Sequence, residues 1–445
     1  MYNKRIGFLM SSEYLKPTGG VGQFAKSICQ LMKQYGIKVD IITDKEPNDK
    51  EFTHSLEGVN VIFPNKPVSY GTHKSIFMYG DSFCYERMAN FRDSIIKALT
   101  YNLYDVFICN TYETIQVALT MGIEDNIQII GYTHLESQIF KDSKNPFLNN
   151  VNEMMRKQLE MPGLYIGTQS KFNSLQIENS FHLPIPLPEP SLLKEYNNPR
   201  EGVLFIGRWE EGKNPELFCE LIEQTKLPAR VITSDTSEKK FKDRFKKLGI
   251  TDYVIKTNIV GQEKVDFITS CRVAFNPSTV ESYGIAFLEQ QIQMPTFALE
   301  NMRWTNNFDK KHFTAINKKN MVEYVKKIYD EFVDGESWYK NGVLQQHIIR
   351  ESQIFHKWNE CFNSFKPKQS NSNKAQILNH NTIRYSDYIK KLDRDILCID
   401  DITSVLNNKH KYSVIYTDND TWLTQDPHFV IPEDSQQGSD LFNFS

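Results

Sequence analysis

Short apolar runs recur along the first half of the chain, each followed by a longer stretch with apolar residues at helical spacing. That alternation predicts a parallel sheet covered by helices. Residues 5–10 (RIGFLM), 39–43 (VDIIT), 59–63 (VNVIF), 105–110 (DVFICN) and 127–134 (IQIIGYTH) read as strands, and Val21 to Tyr35 reads as a helix. Together they predict a Rossmann-like unit over residues 1–185. Between Phe181 and Arg200 five prolines interrupt the pattern, so neither a continuous helix nor a central strand can pass, and the segment reads as a linker.

The alternation then restarts. Residues 202–208 (GVLFIGR), 229–233 (ARVIT), 254–260 (VIKTNIV) and 273–277 (VAFNP) read as strands, with helices near 214–226, 238–248 and 284–293. A second Rossmann-like unit over residues 200–345 follows from the repetition. Apolar and aromatic residues in 337–365 predict closing helices, the last over 346–365. Residues 366–375 (KPKQSNSNKA) have linker composition. The remaining segment, 376–445, holds enough apolar residues for a small packed appendage whose role its sequence does not state.

Composition narrows the function classes. The 445 residues are 40% hydrophobic and 24% charged, which excludes a disordered chain. A formal net charge of −3 argues against a strongly basic surface and leaves nucleic acid neither required nor excluded. No run of about 18 apolar residues is present and the first residues do not form a leader, so no membrane span and a cytoplasmic location are expected. The seven cysteines are scattered without a C-x-x-C pair, which favours buried, reduced thiols over a metal site.

Three segments carry candidate chemistry. In NPSTVESYGIAFLEQQ (276–291) an apolar strand ends and a helix is expected to begin near Tyr283 or Gly284. Glu281 just before that helix and Glu289 two turns into it can face one cleft. The backbone N–H groups of Ser282, Tyr283 and Gly284 would offer a seat for phosphate, and a glutamate nearby can accept both hydroxyls of a ribose. A glutamate pair at this spacing is common on solvated helices, so its weight depends on its neighbours. In GVLFIGRWEEGKNPEL (202–217), Arg208 ends a strand and Lys213 precedes a helix expected to be capped by Asn214 with Pro215 at its first position. Two cations at the carboxyl edge of a parallel sheet can neutralise a diphosphate. In KPTGGVGQFAKSICQLMKQYG (16–36), Gly19, Gly20 and Gly22 permit close backbone approach at a helix start, without a Walker loop or a G-x-G-x-x-G pattern.

These elements, in this order and on two Rossmann-like units, resemble the family-four retaining glycosyltransferases (glycosyl transferases group 1), over roughly residues 5–365. The resemblance implies an α/β, GT-B fold, with two Rossmann-like domains facing a cleft and here a small C-terminal appendage. It also implies that Gly19, Gly20 and Gly22 face the diphosphate and acceptor cleft, and that Arg208 and Lys213 contact the diphosphate. Glu281 would contact the donor sugar, Glu289 would bind the ribose, and His134 in GYTHLES would sit beside the donor sugar. The chain departs from the family where A-x-A-x-G-x-P normally follows the second glutamate: it reads EQQIQMPTF, and ENMRWTNNF (300–308) replaces a glycine-rich segment. Asp418 and Asp420 in TDNDTW spell a D-x-D, but outside the two units, where an exposed turn is the plainer reading.

The expected activity is transfer of a sugar from a nucleoside diphosphate donor, UDP-linked, to an acceptor hydroxyl with retention of configuration, and with no cofactor or metal required. The acceptor is either a glycan or a hydroxymethylated base in phage-type DNA. For the second, Lys310, Lys311, His312, Lys318 and Lys319 could line a phosphate-backbone groove. Residues 239–249 (KKFKDRFKKLG) read as a solvated basic helix face rather than a lipid-binding one. The alternative function is a non-catalytic sugar-nucleotide-binding or assembly subunit of the same fold.

Overall fold

The computed structural model describes residues 4–16, 20–54, 56, 58–67, 85–121, 123–124, 126–134, 160, 163–169, 180–194, 196, 199–281, 283–308, 313–332, 351–366, 396–399, 414–417 and 422–424. The N-terminal sheet contains β1 (Arg5–Leu9), β2 (Lys38–Ile42), β3 (Asn60–Ile62), β4 (Val106–Cys109), β5 (Gln128–Thr133), β6 (Leu164–Thr168) and β7 (Ser180–His182). Their order is β3-β2-β1-β4-β5-β6-β7, every pairing parallel. Helices α1 (Gly20–Gln34), α2 (Lys50–His54), α3 (Tyr85–Tyr101) and α4 (Tyr112–Thr120) accompany it.

The second sheet repeats the plan with β8 (Val203–Ile206), β9 (Ala229–Thr233), β10 (Tyr253–Thr257), β11 (Val273–Asn276), β12 (Thr296–Leu299) and β13 (Thr314–Ile316) in the order β10-β9-β8-β11-β12-β13, again parallel. Its helices are α5 (Pro215–Thr225), α6 (Asp235–Lys247), α7 (Gly261–Thr269), α8 (Ile285–Gln293) and α9 (Met321–Glu331). Central strands such as VFIC in β4 and VLFI in β8 are continuously apolar because helices cover both faces of a parallel sheet. Side chains of β8 divide accordingly: Leu204 packs with α7 and α8, whereas Val203 and Phe205 pack with α5, α6 and α9.

In both sheets the strand order reverses beside the first strand, between β1 and β4 and again between β8 and β11. The carboxyl ends of strands at such a switch point leave a crevice where ligands bind. After the second unit the chain returns to the first. Helix α10 (Glu351–Ser364) places Ile354, Phe355, Trp358, Cys361 and Phe362 in the N-terminal core. Trp358 Nε1 donates to the Pro184 carbonyl at 2.8 Å, Gln128 Nε2 donates to the Cys361 carbonyl at 2.7 Å, and Phe355 stacks on Tyr35. Three further strands, β14 (Ile396–Ile399), β15 (Val414–Thr417) and β16 (Trp422–Thr424), form a separate sheet with β14 and β15 parallel and β15 and β16 antiparallel.

Each strand expected from the alternation is present, with ends moved by at most three residues. Thus 254–260 becomes Tyr253–Thr257, because Asn258 takes a left-handed conformation (φ 51°) and ends the strand. Strands β6, β7, β12 and β13 go beyond that expectation; β7 and β13 have three residues each, too short for a periodic signal. Asn214 does occupy the position before α5, with Pro215 first in the helix, but it is left-handed (φ 50°) and its side chain makes no capping hydrogen bond. Cys29, Cys109, Cys219, Cys271 and Cys361 are buried free thiols, and burial raises each of them. Among the described residues no helix is long and apolar enough to cross a membrane, and no group of three or more His, Cys, Asp or Glu is placed to hold a metal ion.

Candidate functional site

The C-terminal half of the site is assembled by two loops at the β8/β11 switch point. The β8 loop turns through a short 3-10 segment, Glu211–Lys213, and the N–H groups of Thr279 and Val280 in the β11 loop both point to the Gly212 carbonyl, at 2.9 and 3.4 Å. That backbone seam sets Lys213 beside Glu281, and Lys213 Nζ donates to Glu281 Oε1 at 2.6 Å. Both side chains are partly covered, 26% and 11% exposed, so the pair is less screened than a surface bridge while solvent still reaches it. Arg208 is at the same loop but half-exposed, its guanidinium 3.1 Å from Glu210.

Helix α8 begins at Ile285, later than the sequence suggests, because Gly284 is left-handed (φ 87°) and serves as the residue before the helix. Leu288 N–H is the first to reach back, to the Gly284 carbonyl. The unpaired amides of the helix start therefore belong to Gly284 and the three residues after it, and Tyr283 is not among them. Ser282 lies outside the described residues, and Tyr283 is buried against Phe308. The segment that replaces the glycine-rich stretch braces this loop. Trp304 Nε1 donates to the Ser278 carbonyl at 3.0 Å, and its ring meets Phe287 edge-on and lies 3.3 Å from where a Cβ on Gly284 would stand.

Glu289, five residues into α8, is not in the same ion pair as Glu281. It is 1% exposed and bonds Lys264 Nζ of α7 through Oε1 at 2.6 Å. Burial raises its carboxyl above the usual range; the Lys264 ammonium pulls it back, and nearby Glu189 adds to the rise. Glu189, itself buried, accepts the N–H of Gly261 at the start of α7 at 3.0 Å.

The N-terminal half gathers at the β1/β4 switch point. Gly22 lies in the first turn of α1, where a Cβ would stand 2.1 Å from the Lys16 carbonyl oxygen and 2.7 Å from that of Tyr14; only glycine fits. A Cβ on Gly20 would meet no atom of the described residues within 4 Å, and Gly19 lies outside them. His134 follows β5. Its Nε2 is 2.5 Å from Oδ1 of Asn110, which follows β4, and its ring packs edge-on against Phe24 of α1 and beside Tyr132. Burial pushes the imidazole down to about 4, so the ring is neutral near pH 7. The amide oxygen opposite Nε2 selects the tautomer that carries its proton there and leaves Nδ1 as an acceptor. Asn110 is buried, and its Nδ2 has no hydrogen-bond partner among the described residues.

The two halves meet at the loop that carries Glu281. Ile285 packs against both the N-terminal core and the core of the second unit, and the Tyr283 phenol adds to the effect of burial in raising Tyr132. Neither Asn110 nor the neighbours of Glu289 carry a signal in the sequence. Lys264 and Glu189 reach the site from 25 residues before Glu289 and 72 before Gly261, and no local spacing marks them. Of the basic set considered for DNA, Lys310, Lys311 and His312 lie outside the described residues, and Lys318 pairs with Glu220 at 2.6 Å. Asp418 and Asp420 also lie outside them.

Two doubly wound parallel sheets with helices, whose cores meet at Ile285, are the architecture of the GT-B fold. Within the second unit, residues 194–296 match the family model described as Glycosyl transferases group 1. That match spans the β8 loop, Glu281 and Glu289. No curated protein matches the chain in sequence. Among solved structures, sucrose-phosphate synthase from Thermosynechococcus elongatus superposes with a TM-score of 0.62 at 13% identity, covering 81% of this chain and 97% of that one. HepE of Anabaena, solved with UDP and glucose, gives 0.58 at 13% identity over 82% and 100%. WaaG, described as a glycosyltransferase involved in lipopolysaccharide biosynthesis, gives 0.53 at 12% over 84% and 98%.

Proposed function

We propose that this chain is a glycosyltransferase that moves a sugar from a nucleoside diphosphate donor, UDP-linked, to an acceptor hydroxyl with retention of configuration. The observation that carries the reading is the Lys213–Glu281 pair, held by a backbone seam across the switch point inside the family-matched segment. An ammonium has three donors, so Lys213 can keep Glu281 and still bind a phosphate oxygen. With Arg208 and the amides at the start of α8 it supplies positive potential where charge builds on a departing diphosphate. Glu281 then offers its carboxylate to sugar hydroxyls, and Glu289 offers an acceptor to the ribose. His134, neutral and fixed by Asn110, presents Nδ1 as an acceptor toward the sugar. The donor is the only small molecule the reaction consumes; no cofactor or metal is required. HepE, solved with UDP-glucose, supports the donor class.

The acceptor is assigned by assay. The purified chain, given a radiolabelled UDP-sugar, is offered a glycan panel and hydroxymethylated duplex DNA, and the anomeric configuration of the product is read by NMR. Transfer to one acceptor class with the donor's configuration kept supports the reading. Inversion overturns retention, and tight donor binding with no turnover would instead make the chain a non-catalytic sugar-nucleotide-binding subunit.

A further inference from the structure

Glu289 is the most deeply buried carboxylate of the site, and the chain surrounds it with two charges of opposite sign. Lys264 from α7 bonds its Oε1 at 2.6 Å, while Glu189 from the proline-rich segment lies close enough to oppose its ionisation. Glu189 is itself held by the Gly261 N–H one turn before Lys264, so α7 fixes both neighbours. Lys264 is 14% exposed, and its ion pair with Glu289 is shielded from solvent. A carboxylate so enclosed can accept hydroxyl hydrogen bonds strongly only while ionised; once protonated it has a donor to place and fewer acceptor sites.

We propose that Lys264 is a positioning residue of the nucleotide site, which holds Glu289 ionised and in one orientation so that the carboxylate accepts the ribose hydroxyls. This rests on the assignment of Glu289 to the ribose. Among the described residues the charged groups facing Glu289 are Lys264 from α7 and Glu189 from the segment before β8, and of these two only Lys264 favours ionisation. Without Lys264, burial and Glu189 both act in the same direction and Glu289 takes up a proton at higher pH. Recognition of the ribose then weakens and is regained as pH rises, whereas contacts with the base and the phosphates are unaffected. Lys264 thereby sets the pH range of nucleotide binding without touching the reacting atoms.

The test pairs a substitution with a change of ligand. Binding to wild type, Lys264→Met and Lys264→Arg is measured by calorimetry from pH 6 to 9, using whichever of UDP, ADP and GDP wild type binds most tightly, and its 2′,3′-dideoxy analogue. At pH 7, Lys264→Met should weaken binding of the ribose nucleotide by about tenfold to a hundredfold, the worth of a hydrogen bond to a charged group. Binding of the dideoxy analogue should be unchanged, and the ribose preference should return at the alkaline end. Lys264→Arg should keep the wild-type preference. Equal losses for both ligands, constant across pH, would overturn the proposal and mark Lys264 as a packing residue. Dideoxy binding also reports that the variant is folded. Wild type that binds ribose and dideoxy forms alike, or none of the three nucleotides, would overturn the ribose assignment and this inference with it.

Discussion

His134 shows how burial sets the protonation of a single residue. Burial lowers the His134 imidazole from 6.5 to about 4. Between those values the unfolded chain binds a proton that the folded chain refuses. The stability from keeping the ring neutral is therefore complete above pH 6.5 and is lost as pH falls toward 4. His134→Gln should lessen the drop in stability between pH 7 and pH 5 by on the order of 1–2 kcal/mol, measured by urea unfolding at each pH. Asn110→Asp sets a carboxylate opposite Nε2 and should move the imidazole pKa upward, which histidine NMR detects directly. An unchanged titration would show that the Asn110 contact does not govern the ring. Lys213, Glu281 and Glu289 are visible in the sequence from residue type and spacing, and His134 only through the family resemblance. Asn110, Lys264 and Glu189 are not, because their contacts are made by folding: strand ends and helices distant in the chain bring them in.

At the scale of elements, the glycine loop separates what the sequence presents as equivalent. Gly22→Ala would force a methyl to 2.1 Å from the Lys16 carbonyl and should cost more than about 2 kcal/mol in urea unfolding, or reshape the turn. Gly20→Ala meets nothing within 4 Å among the described residues and should stay within about 1 kcal/mol of wild type. Gly284→Ala would hold alanine at φ 87°, a cost of roughly 1–2 kcal/mol, and press it toward Trp304. The same glycine explains why α8 starts later than its apolar spacing predicts. A helix start depends on the dihedral angles of Gly284, and apolar spacing carries no information about them. The altered stretch at 300–308 reads in sequence as the loss of a family feature; its Trp304 in fact braces the loop that carries Glu281.

At the scale of the molecule, the alternation of apolar runs specifies two parallel sheets, and the repetition after the proline-rich segment specifies that there are two. Strand order and the return of α10 to the first unit lie beyond it, since both are long-range pairings without a local signature. Trp358, fully buried, joins α10 to Pro184 and stacks on Tyr132, the neighbour of His134. Trp358→Ala should destabilise the protein by about 3–5 kcal/mol, read as a lowered urea midpoint. It should also weaken donor turnover, because the wall behind His134 loses its support.

The central claim is that the Lys213–Glu281 pair serves sugar transfer from a nucleoside diphosphate. Release of nucleoside diphosphate from a panel of nucleotide sugars, with and without acceptor, measures it directly. Wild type should release the diphosphate from at least one donor, and Lys213→Ala and Glu281→Ala, both folded, should each slow that release by about a hundredfold or more. Release at the wild-type rate by either variant, or from no donor by wild type, would contradict it.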